Sequence, residues 1–462
     1  MSYSLYNIVG MRRELNIMGD KRKVFVLGMA RSGYEAAKLL ADKGYDVIVN
    51  DAKTEQNAEQ MNELQSMGVR IVLGNHPEDL FDNTFEMLVK NPGISNNHMY
   101  VEQAREFNVP VINEMELAVR YFTKGVAVIG VTGTNGKTTT TSIIYEFLNK
   151  ASKSAYLMGN IGFPVCSFVN KLKDGDIAVM EVSDHQLSNV MDFKTNISVL
   201  TNLSEAHIDF HGSYEIYKNM KKRIFRHHTK SDIAILNLDD KEVLSLTNDI
   251  ESTKKYFSSR LVNESGGSII DGYICYNNDK IIALEDIKIK GRHNYENAMA
   301  AIAVVKEFNV DNDDIVSVLK TFGGVEHRIE YVKTVNGVDF YNDSKSTNVT
   351  STQIALASFV NPTILLLGGL DRGHSFAELK DYLKNVKLIV AYGETKMKIH
   401  NFAMECGVPC KVVDALEDAT KTAYSSSGEG YVVLLSPACA SWDQFENYEI
   451  RGNKFKEYIG KL

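Results

Sequence analysis

Several things are scarce in this chain of 462 residues, and each scarcity excludes a class. Cysteine occurs five times, at positions 166, 275, 406, 410 and 439. Those spacings form neither a disulfide framework nor a paired zinc site, so Cys406 and Cys410 alone do not make a metal centre. A reducing, cytoplasmic compartment fits that usage best. No apolar run is long enough to span a bilayer, and membrane insertion is not expected. The first twenty residues lack the basic start, apolar centre and small-residue exit of a secretory signal. Positive charge is not in excess: the net charge is −8, which speaks against a nucleic-acid partner because that needs a dense Lys/Arg face. The cluster "YKNMKKRIFRHHTK" (217–230) is the exception and reads as a solvated helix face. Repeats of solenoid period are also missing.

What is present is an ordinary globular composition, 44% hydrophobic and 24% charged, in a chain too long for one core. Short β-rich runs alternate with amphipathic stretches over 23–113, a rhythm of βαβ units and a parallel sheet. The rhythm restarts at "VAVIGVTG" (126–133), passes through an irregular meander at 262–284 and a helix at 293–308, and begins a third time at "VDFYND" (338–343). The expectation is three consecutive α/β domains: an extension over 1–20, a Rossmann-like domain over 21–118, a central P-loop domain over 119–324 and a Rossmann-like domain over 325–462.

The stretch "VIGVTGTNGKTTTTSII" (128–144) carries the strongest chemical signal. A buried strand enters a Gly-rich turn and continues into a helix, so the backbone N–H groups of Gly133, Thr134, Asn135, Gly136 and Thr139 and the helix N-terminus face an anion. Lys137 adds a point charge and Thr138 offers a hydroxyl to Mg²⁺. The usual glycine four residues before the Gly-Lys pair is replaced by Val131. Upstream, "LGMARSGYEAAKLL" (27–40) resembles a dinucleotide loop, but Ala30 stands where the middle glycine would be. A nucleotide ligand held differently from NAD is therefore expected, with Asp51 reaching a ribose or base edge.

Polar residues recur where strands end: Asn160, Glu181, His207 and Asp209. Open parallel sheets place their sites there, and Glu181 with His207 suits a divalent cation beside a triphosphate. In "GRHNYENAMAAIAV" (291–304), Asn294 reads either as a helix N-cap or, with Asn297, as a reader of an adenine edge. Loops of the third domain supply Arg328, Asp343, Lys345, Thr347, Arg372 and Ser441, with the single tryptophan, Trp442, among them. That density of cations suits an anionic amino acid and a developing phosphate charge.

In this order, "TGTNGKTTTT", "GNIG", "GRHNYENAMAA", "HRIE", "NDSKSTN" and "LLSPACASWDQFENYEIRGNKF" resemble the Mur ligase family from about residue 23 onward. The resemblance implies an ATP-dependent amide ligase of peptidoglycan precursor synthesis. It would join D-glutamate to UDP-N-acetylmuramoyl-L-alanine through an acyl phosphate, as a cytoplasmic monomer. It also implies Lys137 and Thr138 at the ATP phosphates and Mg²⁺. Asn160, Glu181 and His207 would surround two magnesium ions, and an N-carbamylated lysine falls on Lys221, with Lys222 the competing choice. Asn294, Asn297, Arg328 and Asp343 correspond to adenosine and phosphate contacts. Lys345, Thr347, Arg372, Ser441 and Tyr448 correspond to the amino-acid pocket and acyl-phosphate neighbourhood. Gly28, Ala30, Arg31, Ser32, Asp51 and Asn91 would hold the uridine nucleotide. The catalytic set so implied is Lys137, His207, Lys221, Arg328 and Lys345, with His207 a candidate proton acceptor.

Two departures stand out. "EVSDHQL" has Asp184 and His185 where relatives usually carry Ser-Phe, either adding a polar contact beside the metals or pointing to solvent. The amino-terminal extension has no counterpart. A folylpolyglutamate synthetase lacks the domain before the P-loop. A nucleotide switch would leave the third domain's cations without a task, and a nicotinamide dehydrogenase rests on one altered fingerprint.

Overall fold

The computed structural model describes residues 22–462 apart from Gly162 and His207, and the side chains of Asp209, Thr350 and Ile354 are likewise outside it. The expected 1–20 extension lies outside the described residues. Three sheets follow one another along the chain. The first holds β1 (Lys23–Leu27), β2 (Asp46–Asp51), β3 (Arg70–Leu73), β4 (Phe85–Lys90) and β5 (Val111–Ile112) in the order β3-β2-β1-β4-β5. All its pairings are parallel.

The second sheet runs through β6 (Ala127–Thr132), β7 (Ala155–Gly159), β8 (Ile177–Glu181), β9 (Ile197–Leu200), β10 (Ile233–Asn237), β11 (Thr253–Ser258), β12 (Gly266–Ile270), β13 (Tyr273–Tyr276) and β14 (Asp279–Ala283). Their order is β14-β13-β12-β11-β10-β9-β6-β8-β7. Only the outer β12–β13–β14 meander is antiparallel, as the irregular 262–284 stretch suggested. The third sheet takes β15 (Glu330–Val335), β16 (Val338–Asn342), β17 (Thr363–Gly368), β18 (Val386–Tyr392), β19 (Cys410–Val412) and β20 (Val432–Leu435) in the order β15-β16-β20-β17-β18-β19.

The inner strands are buried on both faces, which is why they read as continuous apolar runs rather than alternating ones. β6 (AVIGVT) and β17 (TILLLG) are nearly solvent-free along their length. Topology then fixes the sites. β6 lies between β8 and β9, so the loop after it opens where successive crossovers leave toward opposite ends of the sheet, a place where open α/β sheets hold ligands. β1, between β2 and β4, does the same in the first sheet.

The domains are riveted rather than strung. Val24, Val49 and Leu40 of the first share one buried cluster with Val128, Met180 and Phe225 of the second. The break expected near 114–125 begins with a helix, Glu114–Val119. Buried Glu116 accepts backbone N–H bonds from Met191, Asp192 and Phe193 and pairs with Arg120. Glu114 accepts from the N–H of Cys166, and its burial pushes its pKa up to about 7.

Candidate active site

The loop after β6 turns on two glycines that no other residue replaces cheaply. Gly133 has φ +145° and Gly136 φ +80°, and a Cβ on Gly136 would lie 2.2 Å from Asn297 Oδ1. Gly136 caps the helix Lys137–Lys150. Its neighbour across the gap is the helix Arg292–Val305, from which Asn297 Oδ1 accepts the Thr140 hydroxyl at 3.2 Å. The loop is held from its other side by the residues that follow β9: Asn202 accepts the Asn135 N–H through Oδ1 (2.9 Å), and Thr201 donates to Asn135 O (2.6 Å). Thr134 Oγ1 meets Tyr217 Oη at 2.8 Å. Lys137 folds over the turn and donates to the carbonyls of Gly133 and Thr134.

β8 delivers Glu181 beside this loop. The residue is 2% exposed, and Asn160 donates to its Oε1 at 2.6 Å. Burial alone would raise its pKa, yet Lys345, Lys137 and hydrogen bonding from Asn160 and Thr138 together hold it below the usual carboxylate range. Its other oxygen, Oε2, and the hydroxyl of Thr132 have no hydrogen-bond partner among the described residues. A buried anionic oxygen left open beside the buried hydroxyl of Thr138 is the donor set that an oxygen-seeking cation fits. The two lysines that stabilise Glu181 come from different domains, so the carboxylate sits at a seam. Lys345 is itself lowered by burial, against the pull of Glu181.

Beside the seam, Lys221 is fully buried and 3.4 Å from Asp184 Oδ1. Burial and the charge of Lys137 bring its ammonium down to about 7. Lys222 points outward and pairs with Asp249. The basic run, read as a solvated helix face, is solvated only in part: its amphipathic helix, Tyr214–Lys222, turns Tyr217 and Lys221 inward. Asp184 is 1% exposed and meets His211 Nε2 at 2.8 Å, so it does not point to solvent. His207 lies outside the described residues.

Between the second and third domains opens a cavity of ≈ 1180 Å³, lined among others by Asn135, Thr139, Asn294, Asn297, Arg328 and Tyr331. The N-cap of its helix is Gly291 (φ 100°), correcting the expectation for Asn294. Asn294 instead donates to Lys290 O from the first turn. Arg328 enters the cavity from a tight bend whose flanking residues, His327 (φ 63°) and Ile329 (φ 45°), are both left-handed, a conformation a β-branched residue adopts only under external constraint. Asp343 supplies that constraint. Its Oδ1 accepts the Ile329 N–H, its Oδ2 accepts the Ser436 hydroxyl, and burial pushes its pKa up to about 6. Asp343 therefore acts on the cavity by holding the Arg328 bend.

The remaining third-domain residues singled out in the sequence lie outside the lining of this cavity. Lys345 Nζ lies 5.8 Å from the Tyr448 ring, and Arg372 covers the exposed Trp442 ring at 4.5 Å. Thr347 turns back to Lys345 O, and Ser441 is buried, its carbonyl accepting from Phe445 N–H. Arg451, which the sequence reading passed over, is fully buried and donates to Ser344 Oγ, Ser344 O and Cys439 O. An arginine in an amphipathic C-terminal helix that should have faced water was the available signal.

In the first domain, Gly28 (φ +94°) closes on Asn91, since a Cβ there would meet Asn91 Cβ at 2.9 Å. Ala30 caps the helix Arg31–Asp42, leaving Ala30 and Arg31 exposed and Ser32 half-buried. Asp51 accepts the N–H groups of Met29 and Lys53, so one of its tasks is to hold this loop. Buried Lys90 donates to Ile94 O and anchors the Asn91–Ile94 turn.

Comparison with known proteins agrees with this layout. Residues 22–113 match the Mur ligase MurD-like N-terminal domain, 131–305 the Mur ligase middle domain and 327–439 the Mur ligase glutamate ligase domain. A UDP-N-acetylmuramoylalanine--D-glutamate ligase of Geobacillus sp. (strain WCH70) is 44% identical over 445 residues, 96% of this chain and 98% of that protein. The protein of the same name from Bacillus anthracis (strain A0248) is 42% identical over 444 residues, with 96% and 98% covered. Among solved structures, the UDP-N-acetylmuramate-alanine ligase MurC of Thermotoga maritima superposes with a TM-score of 0.59 at 19% identity, covering 96% of this chain and all of that one. MurF of Acinetobacter baumannii gives 0.57 at 16% identity, with 96% and 94% covered. These two share the fold. The chain belongs to the Mur ligase family.

Proposed function

We propose that this Mur ligase joins D-glutamate to UDP-N-acetylmuramoyl-L-alanine at the expense of ATP, in peptidoglycan precursor synthesis. The observation that carries the reading is Glu181: a buried carboxylate with one open oxygen, at the phosphate loop of one domain and against a lysine of the next. Such a seam serves a reaction in which a triphosphate and two further anions must meet. The names of the relatives identify the acceptor and the amino acid.

The acceptor carboxylate is unreactive toward an amine, so one of its oxygens first attacks the γ-phosphorus and ADP leaves. The amine of D-glutamate then attacks the carbonyl carbon of the acyl phosphate, loses a proton, and expels inorganic phosphate as the amide forms. Lys137 and the loop N–H groups orient the β- and γ-phosphates, and Arg328 and Lys345 stabilise charge on the transferring group. Asn294, Asn297 and Thr139 face the adenosine from the cavity wall. Thr347, Arg372, Ser441 and Tyr448 hold D-glutamate, with Arg372 toward a carboxylate. The turn at Gly28–Ser32, Asp51, Asn91 and Asn160 hold the uridine-linked acceptor. Magnesium, when bound, would offset phosphate charge, with Thr138, Glu181, His207 and a carbamate on Lys221 as the residues to hold two ions. The burial of Lys221 supports the carbamate, since an amine brought down to about 7 is available to carbon dioxide at neutral pH. We place the enzyme in the cytoplasm as a monomer with domain bounds near 21–118, 119–324 and 325–462. Among the described residues no helix is long and apolar enough to cross a membrane.

The test is ATP-dependent phosphate release with the uridine-linked alanyl acceptor, screened across amino acids. D-glutamate alone should sustain turnover. Equal use of L-alanine or a diamino acid overturns the assignment, and a Lys137→Ala variant with near-normal turnover removes the phosphate loop from the reaction. For the carbamate, Lys221→Ala should be inactive and partly restored by short-chain carboxylic acids.

A further inference from the structure

Next to the catalytic seam, Asp184, His185 and His211 converge on one point, and no step described above uses His185 or His211. We propose that these three side chains form a separate site for a divalent first-row transition-metal ion, distinct from the magnesium positions. Asp184 Oδ2 lies 3.1 Å from His185 Nδ1 and 2.8 Å from His211 Nε2. One potential ligand atom from each residue falls within 4.8 Å of the other two. Ligands on a four-coordinate ion with bonds of about 2.0–2.1 Å sit roughly 3.3 Å apart, so seating an ion requires only small outward shifts. Asp184 and His211 are buried, whereas the His185 side chain is 27% exposed and leaves a way in.

The frame around the three is rigid. A reciprocal capping box between Ser183 and Gln186 fixes the short helix Asp184–Leu187. The His185 ring packs on Phe210 at 4.1 Å, and His211 packs on Tyr217 at 5.7 Å. Two imidazoles and one carboxylate are a poor match for magnesium, which keeps oxygen and water ligands, and a good match for manganese, cobalt or zinc. The magnesium set proposed above has a single imidazole, His207, among oxygen donors, whereas here two imidazoles flank one carboxylate, so donor chemistry separates the two places.

Charge links the site to the reaction, and this part rests on the carbamate reading. With Lys221 unmodified, its ammonium 3.4 Å from Asp184 Oδ1 opposes a second cation. Carbamylation begins with loss of one proton from the ammonium; the neutral Nζ then bonds to the carbon of carbon dioxide and gives up a second proton, so a cation is replaced by an anion. The ammonium that opposed a cation is then gone, and binding of one at Asp184 Oδ2, with His185 and His211, is favoured. Bicarbonate and the transition metal must therefore raise each other's affinity by the same factor.

The experiment titrates Co²⁺ into the full-length protein with ATP analogue and excess Mg²⁺, so that the magnesium sites are filled. One equivalent should bind with a visible absorption band of nitrogen-ligated cobalt. His211→Gln should abolish the band and His185→Phe should weaken binding by about 10–100-fold. Circular dichroism checks that both variants fold; if His211→Gln does not, His185→Phe carries the comparison. Omitting bicarbonate should weaken binding in the wild type. No band at saturation, or the same band in the folded variants, overturns the site and leaves a hydrogen-bonded Asp-His pair. A band lost in the variants but indifferent to bicarbonate upholds the site and counts only against the carbamate.

Discussion

Replacing Gly136 by alanine tests whether the phosphate loop is built as described. The backbone at φ +80° costs an L-residue about 1–2 kcal/mol. The new Cβ would lie 2.2 Å from Asn297 Oδ1 and 3.1 Å from Cγ, and relieving such overpacking costs about 1–3 kcal/mol. If about 3 kcal/mol of this total falls on the loop, the binding-competent fraction drops roughly 100-fold, and the apparent Kd for ATP rises by the same factor. Calorimetric titration of an ATP analogue measures that rise, and hydrogen exchange in Lys137–Lys150 measures the local destabilisation. Asn297→Ala supplies the decisive arm. Alone it loses the Thr140 bond, worth about 1 kcal/mol. In the double variant it removes the overlap and leaves only the strain, so the two effects should fall short of additive by about 1–3 kcal/mol. Additive effects, or a single-variant Kd within about twofold of wild type, would refute the reasoning.

Glu181→Gln should cut phosphate release by at least about 100-fold, because it removes the charge between Lys137 and Lys345; a folded variant with wild-type turnover contradicts the seam. Lys90 is pressed by burial from 10.5 to about 8, so between those pH values the folded chain binds fewer protons than the unfolded one. First-domain stability should therefore climb from pH 8 to 10.5, by at most about 3 kcal/mol, and thermal melts of Lys90→Met should lack that climb. Arg451→Lys loses the planar fork on Ser344 and Cys439. It should destabilise the third domain by about 2–4 kcal/mol and raise KM for the amino acid while leaving that for ATP unchanged, as melting curves and initial rates will show.

The readable parts of the sequence were those whose reasons are local. Apolar runs such as KVFVL and TILLLG announce buried parallel strands, and Gly-Lys-Thr after a strand announces the loop, because turn, charge and helix start are adjacent. β11 and β15 were not legible. TKKYFS has two adjacent lysines and EYVKTV a glutamate and a lysine, and what makes them strands is their pairing with β10 and β16. The same holds for charged residues with distant partners. Glu116 binds backbone 75 residues away and Arg451 binds Ser344, 107 residues away, so neither looks internal in sequence. Asp184 and His211 are separated by 27 residues and are joined only by the fold.

Trp442, lying open beneath the guanidinium of Arg372, gives the molecule a built-in optical reporter. There is no other indole to obscure it, and its emission responds to the cation resting on its face. A carboxylate that draws Arg372 away should alter that fluorescence directly, so occupancy of the third domain can be followed without a label.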